Sequence, residues 1–440
     1  MNTTKLRVLV IAEAANPEWV SVPLVGWNIA VALSKIAEVH IVTQVRNREA
    51  FLARGMIEGQ DFTAIDTEDI AAPANRLASL LRGGAQSGWT TVTALQSLTY
   101  PVFEKRVWKH FRDRIERGEF DLVHRITPLS PTAAGSLASR CARTKVPFVI
   151  GPLNGGLPWP PGFSRERMRE KEWLSYIRKI YRHIMPIRGT YRAASAVIAG
   201  SLHTASEVAP YAIGRTIYIP ENGVDGDRMA MAGQRIDDIL KLCFVGRLVP
   251  YKNADIAIRA SCDLLRLGKA HFDIVGDGPE RARLVQIVQE LGISDRVTFH
   301  GWRSHSEVAA ILGRSDLLVF PSIREFGGGV VLEAMAAGTV PVVASYGGPA
   351  ELVCPSAGFA VPIAGPSELE RSFRTLLNQI GDGQHDLESM SRSALDRIRE
   401  LYTWDQKAVQ IHQVYEWCLS PTRPMPDFGF IAASKNLVQS

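Results

Sequence analysis

No run of apolar residues in this 440-residue sequence approaches the ~20 that a membrane-crossing helix needs. The first apolar run, residues 8–12, is stopped by Glu13. It is too short for the core of a secretion signal and suits a buried strand. Cysteine is scarce. The five residues at 141, 243, 262, 354 and 418 are odd in number and contain no CxxC pair, which excludes a disulfide framework and a zinc site. A reduced, cytoplasmic protein is the expectation. No GxGxxG follows the first strand, which argues against a nicotinamide dehydrogenase. Zinc-finger, KH and RRM signatures are missing, and the aromatic residues do not interleave with a basic strip, so no nucleic-acid partner is expected. Nor is the chain disordered or collagen-like. Apolar residues make up 46% and charged residues 22%, a globular composition, and the length suffices for two to three domains.

Short β-rich apolar runs alternate with helical patterns throughout. The front half gives strands at 7–12, 39–43, 121–125, 147–151, 196–200 and 216–220. The back half gives strands at 240–247, 271–276, 297–301, 317–321, 341–345 and 359–363. Strands separated by helices form βαβ units and a mainly parallel sheet. Two such series imply an α/β protein with two doubly wound, Rossmann-like domains. Residues 1–222 form the first, 223–238 the hinge and 239–403 the second. The apolar residues Ala408, Ile411, Val414, Tyr415 and Leu419 predict a late helix over 404–419. The prolines at 421, 424 and 426 predict a loose tail over 420–440, and residues 53–100 read as a mobile loop. Charge is asymmetric: residues 1–222 carry +9 and residues 223–440 carry −4. The two halves are therefore expected to meet different partners.

Ligands of open parallel sheets sit beyond the carboxyl ends of the strands. In the back half these ends carry Gly246-Arg247 and Lys252-Asn253, then Gly276-Asp277-Gly278-Pro279-Glu280, then Glu325 with three glycines, then Gly347-Gly348. Glycines 327–329 precede the apolar helical run 330–337. A helix start presents unpaired N–H groups to a phosphate, and glycine admits close approach. Glu325 and Glu333 are eight apart, one in the loop and one in the helix, and a carboxylate accepts from paired sugar hydroxyls. Arg247 offers a fork for phosphate and Lys252 a point charge. Each feature alone also fits a solvated surface or a plain turn.

Together, in this order and spacing over residues 240–353, including PSIREFGGGVVLEAMAAGTVPVVAS, they resemble the retaining family-4 glycosyltransferases of the GT-B fold. The resemblance implies two Rossmann-like domains facing each other across a cleft, with helix 404–419 crossing back to complete the first. It implies a nucleotide diphosphate sugar as co-substrate, no separate cofactor and no metal. Arg247 and Lys252 would hold the diphosphate and stabilise the leaving group, and Glu325 would contact the transferred sugar. Glu333 would bind the ribose hydroxyls, with Gly246, Gly328 and Gly329 lining the donor site. Gly26, before the helical run 27–33, resembles the glycine loop after the first strand. His124 resembles the first histidine of the family's His-x-His, whose second position is Ile126 here. It is read as a catalytic candidate or a structural histidine at a strand end.

Three departures from the pattern stand out. Glu325 is followed by Phe-Gly-Gly rather than Gly-Phe-Gly, Gly26 stands alone where paired glycines are frequent, and Ile126 replaces a histidine. Asp225-Gly226-Asp227 has the form of a metal-binding DxD, but its place in the hinge argues against that use. In the front half Trp173, Tyr176, Ile177, Ile180, Tyr181 and Ile184 form an apolar helical stripe among basic residues. It suits contact with an anionic membrane surface or packing in the core. Residues 151–161 are expected to line the acceptor side. The expected activity moves a hexose-like sugar to a glycan or lipid-linked acceptor, as in surface polysaccharide biosynthesis, at the inner membrane face. A nucleotide-sugar epimerase and a non-catalytic nucleotide-sugar binder are the alternatives.

Overall fold

The structure, a computed structural model, describes residues 5–69, 89–169, 185–228, 239–420 and 422–430. The chain divides into two compact units. Described residues within 1–156, 171–221 and 404–428 form one, and those within 157–170, 222–403 and 429–440 form the other.

The first unit is built on a seven-stranded parallel sheet. Its strands are β1 (Arg7–Ala12), β2 (Glu38–Gln44), β3 (Phe62–Ile65), β4 (Leu122–Thr127), β5 (Phe148–Leu153), β6 (Ala196–Ala199) and β7 (Thr216–Tyr218), in spatial order 3-2-1-4-5-6-7. All the pairings are parallel, with Val8 opposite both Val39 and Leu122. The interior of β1 is apolar and buried on both faces, as a sheet covered by helices requires. The order reverses between β1 and β4, the position where open α/β sheets generally place a ligand crevice.

Residues 53–100 do not form one long loop. β3 lies there on the sheet edge, and the helix Trp89–Glu116 starts there. That helix buries Tyr100, Phe103, Val107, Phe111 and Ile115 in the core. The spacing of those five residues is helical. The helix Trp404–Leu419 belongs to this unit and packs along the helix Val22–Ile36, with Lys35 paired to Asp405 at 2.6 Å.

The second unit holds a six-stranded parallel sheet: β8 (Leu240–Val245), β9 (Ala270–Val275), β10 (Val297–Gly301), β11 (Leu317–Phe320), β12 (Val340–Ala344) and β13 (Phe359–Val361), in order 10-9-8-11-12-13. Here the order reverses between β8 and β11. The tail is not uniformly loose, because Phe430 is buried against the Tyr402 ring at 5.5 Å. Of the expected hinge, Val224 is fixed by a bridge to Thr403, and residues 229–238 lie outside the described residues. The stripe over 173–184 lies outside them too.

Residues 157–169 part from the sequence division. They follow β5 in the chain yet pack with the second unit.

Candidate functional site

The β8 and β11 loops meet at the switch point of the second sheet. Gly246 leaves β8 with φ 154° and hands on to Arg247. A single 3₁₀ turn, Pro250–Lys252, follows, and Asn253 ends it in the left-handed region at φ 51°. Asn253 is buried, and its Nδ2 donates to the Pro321 carbonyl at 3.0 Å. The Ile323 amide donates to the Tyr251 carbonyl at 3.0 Å. These two bonds hold the loops of β8 and β11 side by side.

The neighbouring glycines serve close packing. A Cβ on Gly276 would stand 2.0 Å from the Gly246 carbonyl oxygen, and one on Gly278 would stand 2.4 Å from that of Leu248. A Cβ on Gly348 would stand 2.1 Å from the Phe326 oxygen, while the Gly348 amide donates to the Glu325 carbonyl at 3.1 Å. At 276, 278 and 348 the missing side chain is therefore what lets the neighbouring backbone approach.

Lys252 and Glu325 are in direct contact, the ammonium donating to the carboxylate. Their side chains are only 11% and 24% exposed, and the Lys252 Nζ sits over the Phe320 ring at 4.8 Å. Arg247 is exposed; its carbonyl accepts from the Val249 amide at 3.0 Å, while its guanidinium has no hydrogen-bond or ion-pair partner among the described residues. Gly328 sits at φ 58° and caps the helix Gly329–Ala336, whose first N–H groups have no partner within the helix. Glu333 lies one turn into that helix and is partly buried. Six of the expected residues thus stand on the paired β8 and β11 loops or on the helix start that follows: Gly246, Arg247, Lys252, Glu325, Gly328 and Gly329. Glu333 joins them on that helix.

Gly26 and His124 belong to the first unit. Gly26 is not in a loop, because the helix begins at Val22. A Cβ there would stand 2.3 Å from the Ala14 oxygen, so the glycine lets the helix lie on the loop after β1. His124 is fully buried in β4. Its Nε2 lies 2.7 Å from the Gly151 carbonyl and its Nδ1 2.6 Å from the Tyr415 hydroxyl. A carbonyl only accepts, so Nε2 carries the proton and Nδ1 accepts from Tyr415. Burial lowers the imidazole pKa to about 4. Both nitrogens are occupied by protein, which gives His124 the geometry of the structural alternative.

Asp225 and Asp227 are exposed, and among the described residues no group of three or more His, Cys, Asp or Glu side chains could hold a metal ion. All five cysteines are free, and burial pushes the Cys141 and Cys243 thiols up to about 12. No described helix is long and apolar enough to cross a membrane. Sequence reasoning gave Arg324, the chain neighbour of Glu325, no role and placed Trp159 only within the acceptor-side stretch 151–161. The Arg324 guanidinium, itself buried, lies over the Trp159 ring at 5.3 Å. Nothing local to Trp159 signals that contact.

A cation pair, a carboxylate and a helix start at a switch point suit an anionic ligand that also carries hydroxyls. Residues 232–393 match the family described as glycosyl transferases group 1. The chain is similar to the 2-deoxystreptamine glucosyltransferase of Streptomyces kanamyceticus, at 28% identity over 71% of this chain and 78% of that one. In fold it is similar to sucrose-phosphate synthase from Thermosynechococcus elongatus (TM-score 0.61, 17% identity, 95% of this chain and 100% of that chain). It is also similar in fold to Anabaena Alr3699/HepE, solved with UDP (TM-score 0.57, 17% identity, 93% of this chain and 100% of that chain). The two parallel-sheet units are those of the GT-B fold, and the matches support a glycosyltransferase.

Proposed function

We propose that this chain, a glycosyltransferase of the group 1, GT-B type, is a retaining family-4 enzyme that moves a hexose-like residue from a nucleoside diphosphate sugar. The observation that carries the reading is the Lys252–Glu325 contact at the β8/β11 switch point, with Arg247 exposed on the same loop. Departure of the diphosphate concentrates negative charge on its oxygens, and preorganised donors lower the barrier to that step. Arg247, Lys252 and the amides near Gly328 and Gly329 are those donors, and they require no metal. Glu333 accepts from the ribose hydroxyls and Glu325 from the sugar. Donor binding then exchanges partners: the diphosphate takes Lys252 while sugar hydroxyls take Glu325. His124 is assigned to the fold.

A uridine donor is supported by the UDP in the Anabaena structure, and glucose by the name of the Streptomyces relative. The proposed acceptor is a glycan or lipid-linked glycan of surface polysaccharide synthesis. An aminocyclitol is the second acceptor class, on the strength of that same relative. The +9 charge of residues 1–222 and the stripe over 173–184 support peripheral contact with an anionic cytoplasmic membrane face.

The test is a thermal-shift screen of nucleoside diphosphates and their sugars, followed by product analysis. A ligand at ~100 times its dissociation constant stabilises by about 2.7 kcal/mol. Transfer to an added acceptor with the donor's anomeric configuration supports the proposal. An epimerised sugar formed without acceptor means an epimerase, and binding without any turnover means a binder.

A further inference from the structure

Trp159 is 166 residues from Glu325 in sequence and follows β5 of the first sheet, yet it packs with the second unit. Its ring covers the Arg324 guanidinium at 5.3 Å, and Arg324 is also flanked by the Phe326 ring at 5.9 Å. Both rings lie within cation–π range of the guanidinium, and Arg324 is only 8% exposed.

Arg324 and Phe326 are the two neighbours of Glu325 in the chain, so fixing them fixes the Glu325 backbone. The same segment makes further contacts on either side. The Tyr346 hydroxyl donates to the Pro158 carbonyl at 3.0 Å. Leu157 closes against Gly347, where a Cβ would stand 2.6 Å from the leucine's Cδ2 and equally close to the Glu325 oxygen. Beyond Trp159, Phe163 is buried and the helix Ser164–Arg169 lies against the Pro250–Lys252 turn. One segment therefore touches both loops that carry the Lys252–Glu325 pair.

We infer that residues 157–169 form a strap that sets the position of the Glu325 loop, with Trp159 as the positioning residue acting through Arg324. The inference rests on the donor site proposed above. Loops of an open sheet are otherwise its most mobile backbone, and a carboxylate must be held close to its productive geometry to select a ligand. The strap supplies that restraint from outside the βαβ units that bear the site. Trp159 thereby governs how well the site distinguishes a nucleoside diphosphate sugar from the bare diphosphate, because only the sugar meets Glu325.

The test compares Trp159→Ala, Trp159→Phe and Tyr346→Phe with wild type. In ligand-free protein, Trp159→Ala is expected to raise amide exchange across residues 321–329 by about tenfold or more, with β8 and β9 unchanged. Trp159→Phe keeps an aromatic face and should stay within about threefold of wild type, whereas Tyr346→Phe, which removes only the bond to Pro158 and is the variant to read if Trp159→Ala does not fold, should raise exchange in 321–329 by about threefold or more. By calorimetry, Trp159→Ala should weaken UDP-glucose about tenfold and UDP less than about twofold, and the loss should not multiply with that of Glu325→Gln in the double variant. Unchanged exchange in 321–329 overturns the strap whatever the ligand. Equal losses for UDP and UDP-glucose, or fully multiplicative losses in the double variant, overturn the action through Glu325. If wild type binds no nucleotide, the donor reading fails while the exchange result still decides the strap.

Discussion

Lys252 and Glu325 are 73 residues apart in sequence and joined in space, one at the end of the β8 loop and the other in the β11 loop. Neither stands alone in the ligand-free protein. An unpaired charge in a largely buried position is costly, so each satisfies the other, and in the proposed mechanism the donor's diphosphate and sugar hydroxyls replace the contact. The exposed Arg247 has no such side-chain partner among the described residues, and in the proposed mechanism it meets the donor first.

Arg247→Ala is expected to leave stability within about 0.5 kcal/mol of wild type, since the side chain is exposed. Turnover at saturating donor should fall ~10²–10³-fold for Arg247→Ala and for Lys252→Ala, the usual loss for one preorganised charge partner. Steady-state kinetics beside urea unfolding separates the two effects. Near-normal turnover in either variant removes that residue from the leaving-group clamp.

Transfer should persist in excess EDTA. Cations and helix-start amides match the leaving charge in the proposed mechanism, and Asp225 and Asp227 stand exposed beside the Val224–Thr403 bridge. Activity lost to EDTA and restored by Mg²⁺ or Mn²⁺ would assign the metal to this reaction after all.

His124 sets a pH dependence of stability. Its pKa falls from 6.5 in the unfolded chain to about 4 when buried. Between those values the unfolded chain binds the proton and the folded chain does not, so stability drops as pH falls through that window. The effect amounts to roughly 2–3 kcal/mol between pH 7.5 and 4.5. His124→Gln should be less stable than wild type at pH 7.5, and the gap should narrow toward pH 4.5 in urea titrations. A gap independent of pH would mean that His124 does not titrate as its burial requires.

Gly276→Ala should destabilise the second unit by about 1–3 kcal/mol or more and weaken nucleotide binding. The new Cβ would meet the Gly246 oxygen at 2.0 Å, at a residue whose φ is 133°. Gly292→Ala is the control: φ is 67° there with nothing within 4 Å, so only the left-handed cost of about 1 kcal/mol applies. Equal losses in the two variants would show that the β9 loop yields to the added methyl group.

Much of the fold is written locally. Apolar runs buried on both faces specify parallel strands, and the alternation with helices specifies two sheets of βαβ units. The site residues after β8 and β11 are legible for the same reason, because turn glycines and charges at strand ends keep a fixed spacing along the chain. The helix over 100–115 is equally local in the spacing of Tyr100, Phe103, Val107, Phe111 and Ile115, but Pro101 and a polar stretch interrupt the pattern. Strand β3 was not legible, since four residues at a sheet edge carry too little pattern.

The sequence by itself determined the two Rossmann-like sheets, the switch-point loops and the residue types on them. Only the tertiary structure decided which partners those residues meet. His124 is closed off by Tyr415, 291 residues later. Gly26 lies within a helix against Ala14, Trp159 packs on Arg324 in the second unit, and Lys252 pairs with Glu325. The physical reason is range. Periodicity and turn chemistry act over a few residues, whereas burial and ion pairing depend on which distant side chains the packed chain brings within a few ångströms.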